Sequence, residues 1–412
     1  MAKKTKKRVE KQAPVEQKPD MKALLNREAG AIIVLALSAV AFIIALVTIH
    51  SEDFLHGAGD LFSVYNGELV EYETAIVDEV LSQELRADEV ISDAPVGSQE
   101  LSVTVTSGRY KGEQMVVHNY FGALSGVPVK VGDGVTLTIK SHSDGSHSAT
   151  VFELNRTPLL VVYFLLFSVA VVVVGRLTGF KSLLGLIFTG ICIFTILIPL
   201  IIKGAPAIGA TFIVCAYISL VCFTILGGVH RKSICAFLGT VAGTFFAMVC
   251  GVTVQWLARI DGLRFDDAEA LYQLGLYEGI LLDIRGLLVA GIIVCSLGAV
   301  MDVAMSISSS IEEIHAANPA LNQKELFKSG MNVGRDMAGT MTNTLILAII
   351  GGQFALMVFF YARGFTLNHL LSLGFIAIET ISGLSSSLGM ILAIPLTALI
   401  SSVLIARKAG ER

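Results

Sequence analysis

Three groups of polar residues interrupt otherwise apolar runs in this sequence, and a carboxylate in such a place is where chemistry is first sought. Asp302 lies in the run Gly286–Ser308. If that run is a helix, Asp302 sits roughly 9 Å from its far end at 1.5 Å per residue. Ser306 and Ser310 follow at i+4 and i+8, on the same face. A second stripe, Asp336, Thr340, Asn343 and Thr344, opens the next apolar run at spacings of four, three and one. Glu379 lies in the shorter stretch Leu367–Leu384, ahead of a serine-rich turn at Gly383–Gly389. Carboxylate, amide and hydroxyl oxygens in this arrangement suit a proton or cation relay, or a hydrated vestibule for ions. The structural alternative is a hydrogen-bonded acid near a helix end, with interhelical hydroxyl contacts worth about 0.6 kcal/mol each.

Other chemistries lack their residues. His-Glu-x-x-His, Gly-x-Ser-x-Gly and Gly-x-x-x-x-Gly-Lys-Ser/Thr are all absent, so no enzyme activity and no cofactor are expected. The six cysteines lie in apolar runs without a Cys-x-x-Cys pair, which speaks against a disulfide framework or a zinc knuckle. His142-x-Asp144-x-x-His147 reads as a solvated turn rather than a metal site.

The elements that position these groups follow from composition. Of 412 residues, 54% are hydrophobic and 16% charged, and the mean hydropathy is +0.72. Soluble domains carry nearer a quarter charged residues, so a polytopic membrane protein is expected. A bilayer core needs roughly 20 apolar residues per helical span. Eight runs qualify: Ala29–Ile49, Pro158–Val174, Ser182–Ile202, Pro206–Leu226, Ser233–Leu257, Gly286–Ser308, Met341–Tyr361 and Leu388–Ala406. Leu367–Leu384 reads as an interfacial or re-entrant helix. Gly239-x-x-x-Gly243 reads as a close helix contact.

Lys and Arg concentrate in residues 1–28, at the C-terminus and in alternate loops, which places both termini on the cytoplasmic side. Residues 1–28 form a basic tail, expected to be disordered and held near anionic lipid. Residues 29–49 form an anchor and 158–412 a helical membrane domain. Between them, residues 50–157 read as an extracytoplasmic β domain. Five alternating stretches, Tyr72–Leu81, Leu101–Thr106, Gln114–His118, Val135–Ser141 and Ala149–Leu154, predict an OB-like barrel or a sandwich. Its 17 acidic residues against 6 basic ones disfavour nucleic acid as a partner.

Family resemblance enters through the C-terminal half. The strings from Gly286 through Asp302 to Glu312, Gly334-Arg-Asp336-Met-Ala-Gly339-Thr-Met-Thr-Asn343, and Ile394-Pro395-Leu396-Thr397-Ala398 resemble the YibE/F-like family. The resemblance runs from residue 29 onward. It implies a bacterial multipass protein of the plasma membrane with an anchor and an extracytoplasmic domain ahead of its helical core. Members are often encoded as related pairs, so it also implies a homo-oligomer or a hetero-oligomer with a related membrane protein. The family has no settled biochemical function. Two readings therefore stand: a permease-like transporter coupled to protons or cations, and a non-transporting envelope scaffold or export accessory acting through its β domain.

Overall fold

The computed structural model describes residues 21–49, 64–65, 68–88, 94–141, 147–260, 271 and 282–406. The N-terminal tail through residue 20, His142, Asp144 and the C-terminal Arg407, Lys408 and Arg412 lie outside them. The chain forms two compact units, His50–Gly179 and the remainder. The first therefore extends past the expected boundary at 157 to take in the start of a helix.

The β unit is built from β1 (Val64–Tyr65), β2 (Glu68–Ala87), β3 (Pro95–Val105), β4 (Gln114–Phe121), β5 (Gly134–Ser141) and β6 (His147–Leu154). All five expected strands are present. β2 pairs antiparallel with β5 from Leu69 to Ile76 and with β3 from Ala75 to Ala87. The order β2-β3-β4-β6-β5 thus returns to β2, and the sheet is a five-stranded barrel rather than a sandwich. Register shifts beside Val77 and Val80 let one strand serve both neighbours. Period-two alternation points Leu101, Val103 and Val105, and Val135, Leu137 and Ile139, into a closed core. The buried Gln99 caps that core: its Nε2 donates to Val129 O at 2.9 Å, and its Oε1 accepts from Val129 N at 2.9 Å and Asn119 Nδ2 at 3.0 Å.

The helices are α1 (Met21–Ile49), α2 (Thr157–Ile202), α3 (Ala207–Gly227), α4 (Arg231–Leu257), α5 (Ile284–Ala317), α6 (Gln323–Gly352), α7 (Phe354–Ala362), α8 (Leu367–Ser372) and α9 (Gly374–Ala406). Among the described residues five are long and apolar enough to cross a membrane (α2, α3, α4, α5 and α9), or six if α6 and α7, bent by 62°, are one span. This corrects the expected eight. Among the described side chains α1 is apolar from Ile32 to Thr48. Pro158–Val174 and Ser182–Ile202 fall on either side of a kink within α2, where Arg176 leaves helical geometry (φ 50°, ψ −132°).

The core of the larger unit is α4, α5 and α9. Small residues set their approach: a Cβ on Gly239 would lie 2.1 Å from Thr397 Oγ1, and one on Gly389 2.4 Å from Ala247 Cβ. The Gly239/Gly243 pair is thus a packing feature. α6 joins through Gly330, which faces Ile311 and Ala398, and Gly334, which faces Ile394 and Ile307. Asn322 and Glu325 form a capping box at its start. α1 lies on α3, where the Tyr217 hydroxyl donates to Ser38 O at 2.7 Å.

Candidate functional site

Asp302 is on α5, but on the side turned away from the core. Val300, Val303, Ala304 and Ile307 are buried, whereas Gly291, Cys295, Gly298 and Asp302 form an exposed stripe at spacings of four, three and four. A Cβ on Gly291 or Gly298 would meet nothing within 4 Å. Among the described residues the Asp302 carboxylate has no hydrogen bond or ion pair. Ser306 and Ser310 are half-buried on the same face. Between them, Ser308 is turned inward and donates to Lys232 O at 2.7 Å, tying α5 to α4.

Asp336, Thr340, Asn343 and Thr344 share one exposed face of α6, as their spacing requires. The threonines are satisfied within their own helix: Thr340 Oγ1 donates to Met337 O at 3.1 Å and Thr344 Oγ1 to Thr340 O at 2.9 Å. Among the described residues neither Asp336 nor Asn343 has a hydrogen-bonded side-chain partner beyond its own helix. Among the described residues no such bond joins this stripe to Asp302, and both stripes are exposed in the single chain. The reason is the packing: α5 and α6 meet through Ile307 and Ile311 against Gly330 and Gly334, which leaves both polar stripes facing out.

Glu379 belongs to the first turns of α9, not to a separate interfacial or re-entrant helix. Only Leu367–Ser372 is separate, as α8, and the expected Gly383–Gly389 turn is helix throughout. Glycine and serine favour turns where water surrounds them, but here they permit close approach. A Cβ on Gly383 would lie 2.7 Å from Ile349 Cδ1, and Ser386 Oγ donates to Ile292 O at 3.2 Å. The half-buried Glu379 instead lines a cavity of about 300 Å³ with Ile349, Ile350, Gln353, Met357 and Ile376. This cavity opens at the bend between α6 and α7, a little past the middle of the apolar run Met341–Tyr361.

A further polar set was not anticipated. Where α4 meets α9, Ser233, Thr240, Thr397 and Ser401 are at most 5% exposed, and their hydroxyl oxygens have no hydrogen-bond partner among the described residues. The signal was available as hydroxyls at helical spacing on the same faces as the small residues. No described group of three or more His, Cys, Asp or Glu could hold a metal ion.

No curated protein and no solved structure matches the chain. The family match starts at residue 163, so α1 and the barrel lie outside it, which narrows the resemblance expected from residue 29. Within it fall the bundle core, the two outward polar stripes and the Glu379 cavity. The match to YibE/F-like protein covers residues 163–407, more than half of the chain, and the chain belongs to that family.

Proposed function

We propose that the protein is a permease-like transporter of the bacterial plasma membrane, coupled to protons or cations, with both termini cytoplasmic. The observation that carries this reading is the break at Gln353. Non-helical backbone at membrane depth is tolerated where it lines a protein-enclosed cavity, and interrupted helices of this kind shape substrate sites in transporters. Here the break adjoins a cavity with one carboxylate, Glu379. Its largely apolar walls leave that carboxylate as the group to bind a proton or cation. Asp302, Asp336 and Asn343 lie on outward faces, so they would serve a pathway only where another surface covers them. A related chain or a second copy is the partner that the family resemblance supports.

The test is flux in proteoliposomes. An imposed pH or cation gradient should decay faster with the wild-type protein than without protein, and Glu379→Gln should slow that decay. Wild-type vesicles as tight as protein-free ones to H⁺, Na⁺ and K⁺ would exclude the coupling.

The accessory reading has its own observation. On the barrel surface Tyr72 and Phe152 are exposed and meet edge to face at 5.3 Å, an aromatic pair suited to a protein partner. It predicts that substitution of Tyr72 removes function while Glu379→Gln leaves it intact.

A further inference from the structure

At the opposite end of the bundle from Gln353, α4 begins beside the last turns of α5 and the end of α9. A recess of about 360 Å³ there is lined by Val229, His230, Arg231, Glu312, His315 and Ile405. We propose that this recess binds a phosphate ester.

Beside one carboxylate, the recess gathers a guanidinium, a helix N-terminus and two imidazoles without protein acceptors among the described residues. His230 is the N-cap of α4 and makes no side-chain cap bond, so the first-turn N–H groups lack an intrahelical acceptor and their dipoles favour an anion. Arg231 donates from Nη1 to Leu404 O at 2.7 Å, which fixes the side chain and leaves its other guanidinium N–H groups free of protein partners among the described residues. The Nδ1 atoms of His230 and His315 are buried with no hydrogen-bond partner. Glu312, the one carboxylate in the lining, faces Lys232 Nζ at 3.7 Å and is offset by it. What remains unbalanced is the Arg231 cation and the imidazole nitrogens. Planar guanidinium donors fit phosphate oxygens in pairs. A metal cation is disfavoured, since no described cluster of three ligating side chains exists. The volume exceeds that of bare phosphate and suits a small ester of it. Such an ester could be a soluble phosphomonoester or the headgroup of an anionic phospholipid, because the recess sits at the helix ends.

The proposal is independent of transport and is tested by binding. Full-length protein in nanodiscs of phosphatidylcholine is titrated with glycerol 3-phosphate, and with sulfate as the control anion, by calorimetry. In parallel, protein exchanged into nanodiscs containing phosphatidic acid is examined by native mass spectrometry for retained lipid. Saturable binding of glycerol 3-phosphate identifies a soluble ligand, and selective retention of phosphatidic acid identifies the headgroup. In either arm Arg231→Gln should weaken binding roughly tenfold or more, the loss expected for hydrogen bonds to a charged group. His315→Gln keeps the fold-supporting Leu404 contact intact and should weaken binding as well. Arg285→Gln, at the other end of α5, should bind as wild type. Binding in neither arm, or loss equal in all three variants, or sulfate binding as tightly as glycerol 3-phosphate, overturns the proposal.

Discussion

Gly243→Ala is a sharp test of the packed core. A Cβ at that position would lie 2.6 Å from Ala393 Cβ and 2.7 Å from Val300 Cγ1, with Gly389 O at 3.2 Å. Ordinary contact begins near 3.4 Å, so α4 must retreat from α9 and α5 together by about 0.7 Å or more. Ala393 Cβ is fixed to its backbone and cannot swing aside. Overpacking of this kind costs about 1–3 kcal/mol. At roughly 2–4 °C per kcal/mol for a domain of 150–250 residues, the melting midpoint should fall by several degrees. Native cysteines provide the readout. Cys192, Cys215, Cys222 and Cys235 are at most 4% exposed, so a thiol-reactive dye reports their release on heating in detergent, once the half-buried Cys250 and the exposed Cys295 are replaced by serine. Gly298→Ala is the matched control, because its new Cβ meets nothing within 4 Å. If Gly243→Ala melts no lower than Gly298→Ala, the α4–α9 seam is not packed as described and the reasoning fails.

Three further substitutions probe the other elements. Gln99→Ala orphans Val129 N inside the barrel, at about 1–3 kcal/mol for an unsatisfied donor, while Asn119 Nδ2 keeps its bond to Val127 O, and amide exchange in β3 and β4 should accelerate while that in α4 does not. Unchanged exchange would mean water replaces the side chain. Asn322→Ala removes half of the capping box and should cost about 0.5–2 kcal/mol, read as faster exchange confined to the first turns of α6. Exchange that rises equally along the whole of α6 would contradict a local cap. In a variant lacking native cysteines, Asp302→Cys and Asn343→Cys should react with maleimide in detergent, whereas Ile307→Cys, at a position 0% exposed, should not. Equal protection at all three positions would show that the outward stripes are covered within one chain.

The strands were legible because a barrel with one wet and one dry face writes its period into the sequence. Leu101, Val103 and Val105 alternate with polar neighbours, so the sequence pattern locates strand and face together. The helices were legible as apolar lengths, and Gly175, Arg176 and Gly179 mark the break inside α2. The direction of the polar stripes was hidden for a deeper reason. In a helix surrounded by hydrocarbon, lipid-facing and core-facing surfaces are both apolar, so periodicity shows that Asp302 and Ser306 share a face without saying which way it looks. Small residues carry that information instead. Gly239, Gly243, Ala247, Gly389 and Ala393 mark the core faces, and Thr240, Thr397 and Ser401 lie on the same surfaces. Reading Gly383–Gly389 as a turn applied the rules of water to a segment whose serines are almost completely buried.

Rigidity is therefore unevenly distributed, and this bears on how a permease of this form would work. The α4, α5 and α9 contacts rest on glycine and alanine backbones in near contact, which allow no sliding without a clash. The first half of α6 is clamped in the same way through Gly330 and Gly334. Beyond Gly339 the helix turns mostly exposed faces outward. A Cβ on Gly351 or Gly352 would meet nothing within 4 Å, so no neighbour braces the pivot beside Gln353. A change in access to Glu379 thus requires only that α7 and the end of α6 move about this glycine pair while α9 stays in place. Hinges of this type are a few element-terminal residues that absorb the backbone change. Gly351→Ala combined with Gly352→Ala should accordingly slow flux without lowering the melting midpoint. An equal loss of flux and stability would instead assign the pair to packing.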